Sequence, residues 1–253
     1  MLDLSILFAF AFSAGMVDAV VGGGGLIQIP ALLNAFPNAP AATLFGTNKL
    51  ASICGTSVAA RTYIGRVHIH WRLVLPAAVS AFAMSFLGAA TVSLVPQDWL
   101  RPIVLVLVIA MAFHIFRKKD FGAVRRAMHF GTRERVLSVL IGGCIGFYDG
   151  LFGPGTGSFL IFLFVRYFAF DFLQASASAK FVNIATNLAA LLFFIPSGNV
   201  LYAIAIPAAI FNMLGAYAGT WVALKRGVGF VRVLFLCLLA VLILKLAYDM
   251  TFA

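Results

Sequence analysis

Asp18 and Asp149 each stand in an apolar segment broken by glycines, GMVDAVVGGGG from Gly15 and GFYDGLFGPGTG from Gly146, at an offset of 149 − 18 = 131. The same ungapped offset matches Gly15 with Gly146, Lys49 with Lys180, Ile53 with Ile184, Pro76 with Pro207, Gly88 with Gly219 and Arg101 with Arg232. So ordered a set marks a duplication. A carboxylate and an ammonium that recur inside apolar sequence, each beside a helix breaker, predict a transport site where two repeats meet.

Lipid is the solvent that such a chain requires. Of its 253 residues 63% are hydrophobic and 10% charged, and the mean hydropathy is +1.05, values that a compact soluble domain could not carry. The net charge of +10 would suggest nucleic acid in a soluble protein, but the charges lie mostly in short loops between apolar runs, where they orient a membrane chain. Nucleic acid is therefore no expected partner. Cys54, Cys144 and Cys237 are isolated in apolar stretches, without metal or disulfide spacing, and read as core residues. The N-terminal segment has no basic flank and runs straight into the repeated motif, so it is expected to stay in the mature chain.

Six apolar runs are plain, at residues 43–64, 73–95 and 101–116 and again at 174–196, 200–223 and 229–248. Ahead of each trio lies a longer stretch, 4–36 and 136–170, interrupted by Gly22, Gly23, Gly24 and Gly25 and by Gly153, Pro154 and Gly155. A helix over residues 25–36 would be about 18 Å long, short of a ~30 Å hydrocarbon core. Each broken stretch is thus either two short membrane helices or a re-entrant hairpin, its unwound backbone facing a cavity. Both give an odd number of crossings per repeat, which inverts the second repeat. The expected fold is an all-α polytopic membrane protein of two inverted-topology repeats, residues 1–116 and 136–253, joined by a basic cytoplasmic linker at 117–135. Each repeat is a glycine-broken helix or re-entrant segment followed by three transmembrane helices.

Charge supports the inversion. The loop with Arg61, Arg66 and Arg72 corresponds to a neutral turn at residues 196–199, and the turn at 96–98 corresponds to one flanked by Lys225, Arg226 and Arg232. With inverted halves, fourteen Lys and Arg fall on the linker's side and two opposite, Lys49 and Lys180 remaining in the membrane; parallel halves give eleven against five.

Lys49 and Lys180 lie too deep to snorkel, and a charge at midplane costs roughly 3 kcal/mol on insertion scales. They are expected to pair with Asp18 and Asp149, or to face water and an anion. Ser52 and Thr56 follow Lys49 by three and seven residues, and Asn183 and Asn187 follow Lys180 by the same steps. Each set shares one helical face with its lysine, a lining suited to an oxyanion. Helix starts after Gly25 and after Gly157 would add N–H groups of partial positive charge. Close helix packing is the other use of such glycines, with Gly146 and Gly150, and Gly215 and Gly219, at the packing spacing. For Asp18 and Asp149, proton coupling and a fixed ion pair both fit.

Other chemistries lose support on inspection. His68 and His70 have no carboxylate or cysteine beside them in sequence, so no metal is expected. The glycine runs lack a GK[ST] ending, and no serine lies in a GxSxG elbow. The chain reads as neither a nucleotide binder nor an enzyme, and it carries no cofactor signature.

GMVDAVVGGGGLIQIPALL, TNKL, GFYDGLFGPGTGSF and AKFVNIATN together resemble the sulfite exporter TauE/SafE family, the toluene sulfonate uptake permeases. The resemblance covers nearly the whole chain. It implies multi-pass transport in a bacterial or archaeal cytoplasmic membrane of small sulfur-containing or carboxylate anions, such as sulfite, sulfoacetate or another organosulfonate. The family signature falls on Asp18, Gly22, Gly23, Gly24, Gly25, Asn48, Lys49, Asp149, Gly153, Pro154, Gly155, Lys180, Asn183 and Asn187, with Ser52 beside them from the spacing above. Ala179 stands where the first half has Asn48, so that asparagine lacks a counterpart. The leading expectation is a secondary transporter, an exporter, working by alternating access at a midplane site, with protons as a candidate coupling ion. An uncoupled anion channel and a non-transporting membrane scaffold are the alternatives. Glycine-bearing helices suit a homodimer, and equally packing within one chain.

Overall fold

The computed structural model describes residues 4–92 and 131–252, which form eight helices and no strands. They are α1 (Leu4–Val21), α2 (Gly24–Ala35), α3 (Ala41–Tyr63), α4 (Trp71–Val92), α5 (Thr132–Leu151), α6 (Thr156–Phe168), α7 (Phe172–Phe194) and α8 (Tyr202–Phe252), the last kinked at Gly227. The run at 101–116 and most of the linker fall outside the described residues. α1, α4, α7 and the Tyr202–Gly227 part of α8 are long and apolar enough to cross a membrane. α2 and α6 are shorter apolar helices of 12 and 13 residues, or about 18 and 20 Å at 1.5 Å per residue.

Local chemistry sets the ends. α7 starts with a reciprocal cap, in which Asp171 Oδ1 accepts the Gln174 N–H at 2.8 Å and Gln174 Oε1 accepts the Asp171 N–H at 3.3 Å. Glu134 accepts the Gly131 N–H at 3.0 Å ahead of α5. The glycines predicted to precede the short helices are partly inside them. α2 begins at Gly24 and α6 at Thr156, because the left-handed residues that stop the incoming chain are Gly22 before α2 and Gly153 and Gly155 before α6.

Shifted by 131 residues, α3 takes the bounds 172–194, those of α7. The packing follows the same rule. Gly15 of α1 lies against the Asn212 backbone of α8, and its match Gly146 of α5 lies against Ala81 of α4, the match of Asn212. Gly219 lies on Met16, and Gly88 lies on Phe147. At all four glycines a Cβ would collide with facing backbone, so the helices cross at a distance that only glycine permits. Phe8 stacks on Phe211 at 5.3 Å and Gly215 meets Phe12, so α1 and α8 run parallel. α3 and α7 run antiparallel, for Gly46 lies against Phe194, while Tyr63 and Ser176 both bond the Ala19 carbonyl.

The glycine-spaced helices are thus consumed within one chain. Of the three cysteines read as core residues, Cys144 is exposed on α5 and Cys54 half-buried, a correction for Cys144. The outer face of a helix in lipid is as apolar as its inner one, so composition does not separate them. Cys237 lies where side chains are not described.

Candidate functional site

α1 ends in the middle of the structure, where its last carbonyls cannot reach water. Each finds a donor from elsewhere in the chain. The Ala19 carbonyl accepts from Tyr63 at 3.0 Å and Ser176 at 3.2 Å, the Val20 carbonyl from Ser176 at 2.8 Å, and the Val21 carbonyl from Ser158 at 2.8 Å. The Gly22 carbonyl accepts the Ser158 N–H at 3.1 Å, and the Asp18 carbonyl accepts Lys180 Nζ. The unwinding is therefore built in, by hydroxyls on three other helices. The second break is closed locally: Tyr148 Oη donates to the Pro154 carbonyl at 2.6 Å and Thr156 Oγ1 to the Gly153 carbonyl at 2.8 Å. The two breaks touch, and a Cβ on Gly22 would collide with Gly157.

Two ion pairs flank this contact. Lys49 Nζ lies 2.6 Å from Asp149 Oδ2, and Lys180 Nζ lies 3.0 Å from Asp18 Oδ2. Each lysine reaches the aspartate of the other half, so the pairs exchange under the 131 offset. They are not equivalent in detail. Lys180 is wholly buried and donates to both the carboxylate and the backbone carbonyl of Asp18. Lys49 has no hydrogen-bond acceptor beyond Asp149 among the described residues, although an ammonium carries three donors. Asp18 also accepts the Gly24 N–H at 3.3 Å, so the start of α2 already faces a carboxylate. Asp149 Oδ1 lies 2.6 Å from Thr156 Oγ1, whose single proton it shares with the Gly153 carbonyl.

Between the breaks lies a cavity of about 20 Å³, room for one water. Gly22, Gly25 and Gly153 form its backbone side, and Asn48, Lys49, Ser52, Asn183 and Asn187 its polar side, with Asp18 and Asp149 at the edge. Ten of the fifteen residues singled out in the sequence thus meet at one small space. Gly23, Gly24, Pro154 and Gly155 stand behind it in the breaks, and Lys180 is turned away onto Asp18. Asn187 donates to Asn183 Oδ1 at 2.9 Å, which fixes both amides. Asn48 Oδ1 is buried without a partner among the described residues. Thr56, Thr156 and Gly157 complete the lining. Thr156 was not singled out by sequence reasoning. Its signal was a hydroxyl seven residues after a buried aspartate, inside the break itself.

His68 and His70 meet edge to face at 4.6 Å in the α3–α4 loop. They are remote from the cavity lining, and among the described residues no group of three metal-ligating side chains forms.

A buried lysine paired across two broken helices is an expensive feature for a membrane protein to keep, and the sequence comparison places the chain in a family. The profile of the sulfite exporter TauE/SafE family matches residues 7–246. The chain belongs to that family. A relative from Sinorhizobium sp, "Probable membrane transporter protein ORF9", is 36% identical over 98% of this chain and 94% of its own length. "Probable membrane transporter protein YfcA" of Escherichia coli K12 is 35% identical over 97% and 90%, and a "Probable membrane transporter protein" of Haemophilus influenzae is 29% identical over 97% and 95%. No solved structure matches the chain. This TauE/SafE member is a multi-pass membrane protein of a transporter family, not of an enzyme family.

Proposed function

We propose that this protein exports small sulfur-containing or carboxylate anions, with sulfite, sulfoacetate and other organosulfonates as the first candidates, across a bacterial cytoplasmic membrane by alternating access. The observation that carries the reading is Lys49: a buried ammonium on a cavity between two helix breaks, with two of its donors unused among the described residues. An incoming oxyanion would take those donors together with the Ser52 hydroxyl and the Asn187 amide.

The mechanism rests on exchange of partners. A substrate that draws Lys49 away leaves Asp149 buried without its counter-charge, and a proton is the candidate ion to accompany the anion. Lys180, saturated by Asp18, keeps the end of α1 in place while this happens. The cavity holds about 20 Å³, less than an anion with three or four heavy oxygens requires, so the arrangement is that of a closed step between two open ones.

Inverted repeats supply the movement. The antiparallel course of α3 and α7, the parallel courses of α1 with α8 and α5 with α4, and the exchange of the ion pairs support two halves of opposite orientation, residues 1–116 and 136–253. Rocking one half on the other would open the site to either side in turn, with residues 117–135 on the cytoplasmic face.

Radiolabelled sulfite, sulfoacetate and taurine presented to proteoliposomes of the pure protein, with and without a pH gradient, test this. Saturable flux of one anion that responds to the gradient and vanishes in Lys49→Met is the expected result. Flux that never saturates and ignores the gradient would mean a channel, and absence of flux for every anion would leave a scaffold.

A further inference from the structure

Beside the last turn of α3 a second cavity, of about 420 Å³, opens at the molecular surface between α3 and α8. Its wall combines two guanidiniums, Arg61 and Arg66, with Thr62 and the apolar surfaces of Val58, Ile64 and Tyr217. Ile64 is 56% and Tyr217 59% exposed. No carboxylate lines the cleft, and neither arginine is in an ion pair among the described residues. Thr62 donates to its own helix at Val58, so the arginines are its charged content.

The surface leading to the cleft is apolar and helical in spacing. Ile206, Ile210, Leu214, Tyr217 and Trp221 are all exposed on α8, at steps of three and four residues that place them on one face. Lys225 continues the face one turn on, its ammonium 4.7 Å from the Trp221 ring centroid. An apolar stripe that ends in two aromatic rings and then in cations follows the profile of a bilayer leaflet from hydrocarbon to headgroup.

We propose that this cleft is a specific site for an anionic phospholipid, its phosphate held by Arg61 and Arg66 and its acyl chains lying along the α8 stripe. Amphiphilicity decides the occupant. A soluble anion would use the guanidiniums and leave the stripe without purpose, and a second protein copy would need carboxylates to face the arginines. Planar guanidiniums bind phosphate in two-pronged fashion, and basic pockets between membrane helices suit acidic headgroups. The site ties α3, which carries Lys49, to α8, which packs on α1, so its occupancy bears on the two elements that frame the transport cavity.

The test is native mass spectrometry of the full chain released from nanodiscs of equal phosphatidylglycerol and phosphatidylcholine. One phosphatidylglycerol is expected to remain bound, with a drop of tenfold or more in Arg61→Gln/Arg66→Gln and no change in Arg133→Gln/Arg135→Gln, which removes two arginines elsewhere. Titration of the detergent-purified wild type with each lipid gives a readout free of folding effects: saturable uptake of phosphatidylglycerol, and none of phosphatidylcholine, is expected. Equal retention of both lipids, retention unchanged in the double variant, displacement by millimolar inorganic phosphate, or a lipid-free dimer would each overturn the proposal.

Discussion

Lys49 and Lys180 are equivalent in sequence and unequal in structure. Removing one member of a buried pair costs about 3–5 kcal/mol, because the partner charge stays behind without compensation. Lys49→Met should therefore abolish flux and lower the melting temperature, and Lys49→Met/Asp149→Asn should recover the stability without the flux. Lys180→Met/Asp18→Asn is expected to behave otherwise. It also takes the Lys180 bond from the Asp18 carbonyl, which keeps only the Gly22 N–H, so thermal stability recovers only in part. Thermal unfolding in detergent, set beside liposome flux, checks both pairs. At this scale the sequence marked residues that come together at one cavity and left open how they join. A fixed offset says that Lys49 is to Asp149 as Lys180 is to Asp18, but within-half pairing would satisfy the offset equally. Thr156 escaped notice because threonine inside apolar sequence is ordinary, and only its hydroxyl position marks it.

Among the elements, the glycines make a separate claim. Gly146 packs on Ala81 and Gly219 on Met16 backbone, so Gly146→Leu or Gly219→Leu forces a helix pair apart. Overpacking of this kind costs about 1–3 kcal/mol or more, and reduced melting temperature with slower transport is the expected outcome. The α3–α4 loop supplies a pH effect. Burial, and then the neighbouring His68, hold the His70 imidazole below its usual value, and Asp171 opposes them only in part. The folded state thus favours neutral His70, while the unfolded chain takes up its proton below about pH 6.5. Stability should fall as pH drops through that value, and His70→Gln should narrow the difference in melting temperature between pH 7.5 and pH 5. Breaks, proline positions and helix lengths were readable in advance, since glycine and apolar periodicity are local properties. Helix starts shifted by one or two residues because left-handed backbone at Gly22, Gly153 and Gly155, not the last glycine of a run, ends the interruption. Cys144 shows the limit: in lipid, apolar sequence does not say which face is inside.

Alternating access through this site requires the whole molecule to open, since the space between its breaks admits one water. Ser52 lines that space. In a background with Cys54, Cys144 and Cys237 replaced by Ser, a Ser52→Cys variant should react with a membrane-impermeant maleimide from either side of the membrane in turn. Labelling from one side alone would contradict alternating access. The packing of α1 on α8 and α5 on α4 was not legible beforehand, for a duplication fixes equivalence between halves and not which half embraces which.

That embrace bears on how the protein is made. Lys49 leaves the ribosome 100 residues before Asp149, and Asp18 leaves 162 before Lys180. During synthesis the first half holds an ammonium and a carboxylate whose partners do not yet exist. Neither charge is stable in hydrocarbon alone, so until α5 and α7 arrive Lys49 and Asp18 must pair with each other or α1 and α3 must sit short of their final depth. Assembly order, and not only the finished site, is written into the crossed pairs.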